Sequence, residues 1–221
     1  VVFWVKGRAV IFDLDGTLLD TLQDLGEAMN AVLGEHGFPE HPLDAYRYFV
    51  GEGMETLIRR TLPEERRDEA LVARLLEMMR EEYGRRWRDH SRPYPGVPEM
   101  LDKLEARGLP KAVFSNKPHL FTVEMVEEIL GNWSFSAVRG ILPGTPRKPD
   151  PAVALEISRE MKIPPQDIVF VGDSDLDMLT ARAAGMFGIG VLWGFRDAAE
   201  LLGAGARALL SHPRELLNFV I

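Results

Sequence analysis

Phe12-Asp13-Leu14-Asp15-Gly16-Thr17-Leu18-Leu19-Asp20, entered from the apolar run Ala9-Val10-Ile11-Phe12, decides how this chain folds. Four consecutive apolar residues set between Arg8 and Asp13 read as a strand buried on both faces. Such strands belong to parallel sheets covered by helices. Ligands bind those sheets beyond the carboxyl ends of the strands, which is where Asp13 and Asp15 stand. Period-two geometry aims both carboxylates the same way. Held close together they repel, so the pair calls for a shared cation or a retained proton. Gly16 permits a sharp exit that Thr17 can hydrogen-bond across.

Five further runs look like buried strands: Lys111-Ala112-Val113-Phe114, about Ser136-Ala137-Val138, Ile168-Val169-Phe170-Val171, Gly188-Ile189-Gly190-Val191 and Arg207-Ala208-Leu209-Leu210. Helix-like stretches separate most of them, which predicts an α/β fold, a Rossmann-like parallel sheet with helices on both faces. Nearly a hundred residues without a convincing strand lie between the first two runs, far more than one crossover needs. They predict an inserted helical domain at residues 20–90, with residues 1–19 and 91–221 forming the sheet domain. In the insert, Leu22, Leu25, Met29, Val32 and Leu33 keep helical spacing until Gly34 and Gly37. A second stripe, Leu71, Leu75, Met78, Met79 and Tyr83, follows Pro63, and its methionines read as core. From Arg59 to Arg92 ten Arg and eight acids alternate, the pattern of a solvated, salt-bridged helix face. Tyr94-Pro95-Gly96 marks a turn, after which Met100, Leu101 and Leu104 begin a helix ending at Arg107-Gly108.

Composition narrows the function classes. With 46% hydrophobic and 27% charged residues over 221 positions, collagen-like, disordered and coiled-coil readings are excluded. A net charge of −8 argues against a nucleic-acid surface and against a polybasic membrane patch. Phosphate can still bind an acidic protein when a metal ion supplies positive charge. The absence of cysteine removes disulfides, thiolate metal sites and Cys nucleophiles, so a reducing cytoplasm is the expected setting. Val1 to Val5 is too short for a signal-peptide core, and no window approaches ~18 uninterrupted apolar residues, so neither export nor membrane spanning is expected. An apolar helix stripe serves a core or a dimer interface equally, which leaves monomer and homodimer open.

Three more segments carry chemistry. Gly172-Asp173-Ser174-Asp175-Leu176-Asp177 puts a second acidic cluster at another strand end, and two such ends can share one metal. The available donors are hard oxygens, which favours Mg²⁺ over zinc or copper. A calcium loop fails, because the glycine it needs at its sixth position is Leu18 when counted from Asp13. A turn with capping aspartates stays open. Phe114-Ser115-Asn116-Lys117-Pro118 offers a hydroxyl, an amide and free N–H groups to an anion, or else an ordinary helix cap. In Arg147-Lys148-Pro149-Asp150-Pro151 a lysine precedes a proline-started helix, where it could neutralise a phosphate or stand at the surface.

Taken in order, these four segments resemble the motifs of the haloacid-dehalogenase-like superfamily of phosphohydrolases. The resemblance implies Asp13 as nucleophile, Asp15 as general acid/base, Ser115 as the phosphate-binding second motif, Lys148 as the third and Asp173 with Asp177 as the acidic fourth. It places Asn116, Gly16 and Thr17 with Ser115 and Lys148 around the phosphate. Mg²⁺ is expected on Asp13, the Asp15 carbonyl and Asp173, with Asp177 and Asp175 orienting its waters. The insert after Asp20 is where this superfamily carries an α-helical cap. Within it the chain is most similar to phosphoglycolate phosphatases, through Asp13-Leu14-Asp15-Gly16-Thr17-Leu18-Leu19-Asp20, Ser115-Asn116-Lys117-Pro118, Tyr94-Pro95-Gly96-Val97 and Val50-Gly51-Glu52-Gly53. Dehalogenases proper lack the counterpart of Asp15, and β-phosphoglucomutases carry histidine where this chain has Leu25. The resemblance therefore implies a small phosphorylated metabolite as substrate and an aspartyl-phosphate intermediate. Gly51 and Gly53 would let backbone approach the leaving group under a closing cap, or else form a simple turn between helices. Pyrophosphatases and sugar-phosphate phosphatases of the same superfamily remain alternatives, as does a non-catalytic phosphate-ligand sensor or scaffold.

Overall fold

The computed structural model describes residues 6–221; the Val1 to Val5 run, and the reading made of it, lie outside them. The chain enters through β1 (Ala9–Phe12) and, after a tight turn, β2 (Leu19–Asp20). Four helices follow before the next strand: α1 (Leu22–Glu35), α2 (Tyr46–Phe49), α3 (Met54–Thr61) and α4 (Glu69–Arg86). β3 (Arg92–Pro93) then returns antiparallel beside β2, pairing Leu19 with Pro93 and Asp20 with Arg92. The helical stretch thus leaves and rejoins the sheet region on adjacent strands. Buried Asp24 of α1 fixes the return, its carboxylate accepting from the N–H groups of His90 (3.0 Å) and Ser91 (2.8 Å) and from the Ser91 hydroxyl (2.7 Å).

Strand and helix then alternate: α5 (Val97–Ala106), β4 (Lys111–Pro118), α6 (His119–Ile129), β5 (Ala137–Ile141), α7 (Ala152–Met161), β6 (Ile168–Gly172), α8 (Asp175–Ala183), β7 (Phe187–Val191), α9 (Ala198–Ala204) and β8 (Ala208–Leu210). All six expected runs enter one parallel sheet in the order β5-β4-β1-β6-β7-β8. The chain builds outward from β1 through β4 to β5, then crosses over and builds the other way from β6. The reversal at β1 opens a crevice at the carboxyl edge.

The pleat sorts the central strands between two cores. Val10 and Phe12, Val113, and Val169 and Val171 face one side; Ala9 and Ile11, Ala112 and Phe114, and Ile168 and Phe170 face the other. The first of these cores continues without a break into the helical stretch through Leu25, Met29, Leu57, Leu75, Met79 and Tyr83. One local expectation shifts. α4 begins at Glu69, where the Asp68 carboxylate caps it by accepting from Leu71 N (3.0 Å). Its buried face is Val72, Leu75, Met79 and Tyr83, with Leu71 and Met78 flanking it. The arginines of this region pair as solvated side chains do, Arg59 with Glu55 and Glu69, Arg80 with Glu77, and Arg86 with Glu82. Among the described residues no helix is long and apolar enough to cross a membrane.

Candidate active site

β1, β4 and β6 deliver their polar ends to one crevice. Asp13 follows β1 directly, with its N–H donating to Val171 O (2.9 Å), while Asp173 follows β6. Asp177 lies one turn into α8, where it completes a capping box: its Oδ2 accepts from Ser174 N (3.0 Å) and Ser174 Oγ (2.7 Å). Asp13, Asp173 and Asp177 are all buried and bring carboxylate oxygens within 4.8 Å of one another. Lys148 sits between two of them, 2.9 Å from Asp13 Oδ1 and 2.7 Å from Asp177 Oδ1. Burial pushes the Asp13 carboxyl up to about 7; Lys148 opposes the rise and Asp177 adds to it. Asp173 is raised well above the ordinary carboxylate range by burial and by Asp177 and Asp13, against the Phe195 N–H and the Arg196 charge. For Lys148, burial lowers the pKa, but Asp13 and Asp177 outweigh it and hold the ammonium charged.

Three buried carboxylates against one ammonium leave an excess of negative charge that these side chains cannot neutralise among themselves. All the donors are hard oxygens. The group therefore suits a hard divalent cation, whose charge would remove the penalty that raises Asp13 and Asp173. Gly16 makes the approach of the two acidic loops possible, since at φ +80° a Cβ here would stand 2.3 Å from Asp173 Oδ2.

Asp15 occupies a separate niche. Its carboxylate accepts from Thr21 Oγ1 (2.7 Å) and from Lys117 Nζ (3.0 and 3.1 Å), and Lys117 in turn lies over the Tyr83 ring of α4 at 4.6 Å. Burial lowers the Lys117 pKa, but Asp15 and then Tyr83 outweigh it and hold the side chain protonated. Ser115 Oγ accepts from Lys117 N (3.2 Å), which leaves the hydroxyl proton to donate into the cleft. The cleft, about 40 Å³, is lined by Asp13, Asp15, Ser115, Lys117 and Asp173 on one side and by Val50, Gly51, Met54 and Leu57 of the helical stretch on the other.

Four of the expected site residues have polar groups engaged with the protein itself. Gly16 has no N–H to give a phosphate, because it donates to Leu19 O (2.9 Å) and closes the turn. The Thr17 hydroxyl faces Asp173 Oδ1 (3.4 Å), tying the two acidic loops together, and the Thr17 carbonyl accepts from Trp193 Nε1 (3.0 Å). The Asn116 amide is spent on backbone: Nδ2 donates to Gly51 O (3.0 Å) and Lys148 O (3.3 Å), and Oδ1 accepts from Lys148 N (2.9 Å). Asp175 stands half-buried outside the three-carboxylate group, with Oδ1 accepting from Leu176 N (2.8 Å). The Asp15 side chain lies with Lys117 and Thr21, apart from Asp13 and Asp173, while Asp177 stands within the same buried carboxylate group as those two.

Sequence reasoning also missed residues. β4 runs on to Pro118, so period-two geometry puts Lys117 on the Ser115 side of the strand, and that signal was available. The loop after β7 contributes Phe195, whose N–H donates to Asp173 Oδ2 (2.7 Å), and Arg196, which also lines the cleft. Four side chains join the helical stretch to the sheet domain through main-chain oxygens: Asn116 to Gly51, Arg147 to Glu52 (3.3 Å), Arg196 to Val50 (2.9 Å) and Arg47 to Gly194 (3.0 Å).

Comparison with known proteins agrees with this arrangement. The chain is 37% identical to a phosphoglycolate phosphatase of Chromobacterium violaceum over 218 residues, covering 96% of each chain. It is 35% identical to a phosphoglycolate phosphatase of Nitrosospira multiformis, covering 96% of this chain and 95% of the other. The crystal structure of a predicted phosphoglycolate phosphatase from Haemophilus somnus superposes with a TM-score of 0.85 at 27% identity, covering 96% of both chains. Residues 10–191, which span every side chain of the buried acidic site, match the family model of haloacid dehalogenase-like hydrolases, and the chain belongs to that family.

Proposed function

We propose that this protein is a Mg²⁺-dependent phosphatase that hydrolyses a small phosphate monoester, 2-phosphoglycolate, through an aspartyl-phosphate intermediate. One observation carries the reading: Lys148 clamps Asp13 and Asp177 inside a buried three-carboxylate group, while Asp15 is held apart by Lys117 and Thr21. Neighbouring carboxylates in unlike environments can take unlike roles. Asp13 attacks phosphorus in line, forming the acyl-phosphate bond as the ester P–O bond breaks. Asp15 gives a proton to the departing oxygen, then takes one from the water that attacks the same phosphorus and frees Asp13. Lys117 and Thr21 hold Asp15 in place for both transfers. Ser115 and Lys148 present a hydroxyl and a positive charge to the phosphoryl oxygens. Mg²⁺, held by Asp13, the Asp15 carbonyl and Asp173, would supply the positive charge that offsets the acidic cluster and the phosphate together.

The stretch of residues 20–90 acts as a cap over this edge, with the Val50–Gly53 loop as the roof of the cleft. Agreement with phosphoglycolate phosphatases across nearly the whole chain supports that substrate over the sugar-phosphate and pyrophosphate alternatives. Phosphate release from 2-phosphoglycolate, pyrophosphate, sugar phosphates, nucleotides and p-nitrophenyl phosphate, each with Mg²⁺ and with chelator, tests the proposal. Preferred, chelator-sensitive turnover of 2-phosphoglycolate is expected. Turnover of the aryl phosphate alone would remove the named substrate but leave the chemistry, and no turnover with any metal would favour a sensor or scaffold.

A further inference from the structure

Arg196 makes contacts that the chemistry above does not use. It stands in the loop after β7, next to Phe195, and lines the same cleft as Asp13, Ser115 and Lys117. Its side chain is only 10% exposed. Nη2 donates to Val50 O (2.9 Å), Nε lies 3.1 Å from Glu200 Oε1, and the guanidinium stands 5.7 Å from the centre of the Tyr48 ring. Nη1 is buried and has no hydrogen-bond partner, the one such side-chain atom among the described residues. A buried donor left unpaired is costly, and more so when it is charged. The other basic residue lining the cleft, Lys117, is already engaged with Asp15, and Lys148 behind it with Asp13 and Asp177. Glu200 offsets part of the Arg196 charge, but at Nε, so the Nη1 edge still lacks an acceptor.

We propose that Arg196 is a specificity-determining residue that binds the non-transferred, carboxylate end of the substrate. The substrate class is then small phosphate esters whose alcohol bears a carboxylate, selected over neutral esters of the same size. This rests on the phosphatase reading and narrows it. A planar guanidinium fork suits a carboxylate, and a charge-assisted bond to it is among the stronger hydrogen bonds proteins make. Because Nη2 already holds Val50 of the cap loop, a carboxylate on Nη1 would add to the contacts that keep that loop over the site.

The test is steady-state kinetics on 2-phosphoglycolate, on 2-hydroxyethyl phosphate, which replaces the carboxylate by a neutral hydroxymethyl group, and on p-nitrophenyl phosphate. Wild type, Arg196→Gln and Arg196→Lys are compared. Wild type should prefer 2-phosphoglycolate over 2-hydroxyethyl phosphate by on the order of a hundredfold in kcat/KM. Arg196→Gln should lose about that factor on 2-phosphoglycolate, mainly in KM, while the two uncarboxylated esters fall less than about tenfold; Arg196→Lys should recover part of the preference. Equal losses on all three esters would make Arg196 a strut between cap and sheet and overturn the proposal. A preference that survives in Arg196→Gln, or is absent from wild type, overturns it too, while p-nitrophenyl phosphate turnover shows whether the phosphatase reading still stands. Should Arg196→Gln fail to fold, wild type alone decides: glycolate should inhibit p-nitrophenyl phosphate turnover at concentrations where ethylene glycol does not, and equal behaviour of the two rejects the assignment.

Discussion

The floor and the roof of the cleft are built on opposite physical plans. The floor packs Asp13, Asp173 and Asp177, carried on the ends of β1 and β6 and the first turn of α8, around Lys148 of the loop between β5 and α7, all four buried. The roof, at Val50–Gly53, is held mainly by Asn116, Arg147 and Arg196, which reach across to main-chain oxygens. Buried charges with few partners are costly to rearrange, whereas hydrogen bonds to half-exposed residues such as Gly51 and Glu52 exchange more readily with water; only the Val50 contact of the roof is buried. A site divided this way fixes its reacting groups and leaves its lid releasable, as substrate entry and product release require.

The floor can be tested by opposite changes of charge. Asp13→Asn keeps the shape but cannot form the acyl-phosphate, so kcat should fall at least about a thousandfold. The same change removes one member of an over-charged cluster, so the metal-free protein should unfold at an equal or higher temperature. Lys148→Met also abolishes most activity, but it strips the buried carboxylates of their counter-charge and should destabilise the metal-free protein by about 3–5 kcal/mol. Thermal unfolding of both variants in chelator decides the point. If both shift the midpoint the same way, the cluster is not held against its own repulsion and the contrast between floor and roof fails.

Asp15 belongs to the floor by position but pairs with a lysine that touches the α4 side chain Tyr83. Asp15→Asn should lower kcat by about 10²–10⁴, because proton transfer is lost while the nucleophile stays. The intermediate should then persist long enough to be trapped as acid-stable, hydroxylamine-sensitive phosphate on Asp13. Unchanged turnover would take Asp15 out of the chemistry.

The sheet was legible because strands buried on both faces must be continuously apolar, as β1 and β6 are, while the edge strands β5 and β8, only partly buried, carried a weaker form of that mark. Asp13, Asp173 and Asp177 stood out because acids at the end of an apolar run have few structural reasons to be there. What escaped notice was tertiary pairing. Period-two spacing puts Lys117 on the Ser115 side of β4, but its partner Asp15 lies 102 positions away, and spacing does not name it. Arg196 looks like any loop arginine until β7 is known to end beside β6. Gly16, Thr17 and Asn116 read from the chain as groups available to a phosphate, and in the structure their polar groups close a turn, join two loops and hold the Lys148 segment. Spacing along the chain identifies which side chains reach an edge, but it does not reveal which backbone groups have already claimed them.

The smallest effects lie in two other roof contacts, Asn116 and Arg147, which should behave differently. Asn116→Ala leaves buried Lys148 N without an acceptor and frees Gly51, so stability should drop by about 1–3 kcal/mol and KM should rise, because the Lys148 segment and the cap loop lose the same support. Arg147 donates to Glu52 O from an exposed position, so Arg147→Ala should cost less than about 1 kcal/mol and change KM only about two- to threefold. Chemical denaturation and initial rates on both variants would measure the difference. Equal and large effects would mean that the roof is as rigidly built as the floor. The expected inequality means that Asn116 couples lid to floor through one amide, and that the exposed contacts around it are the ones that give way when the cleft opens.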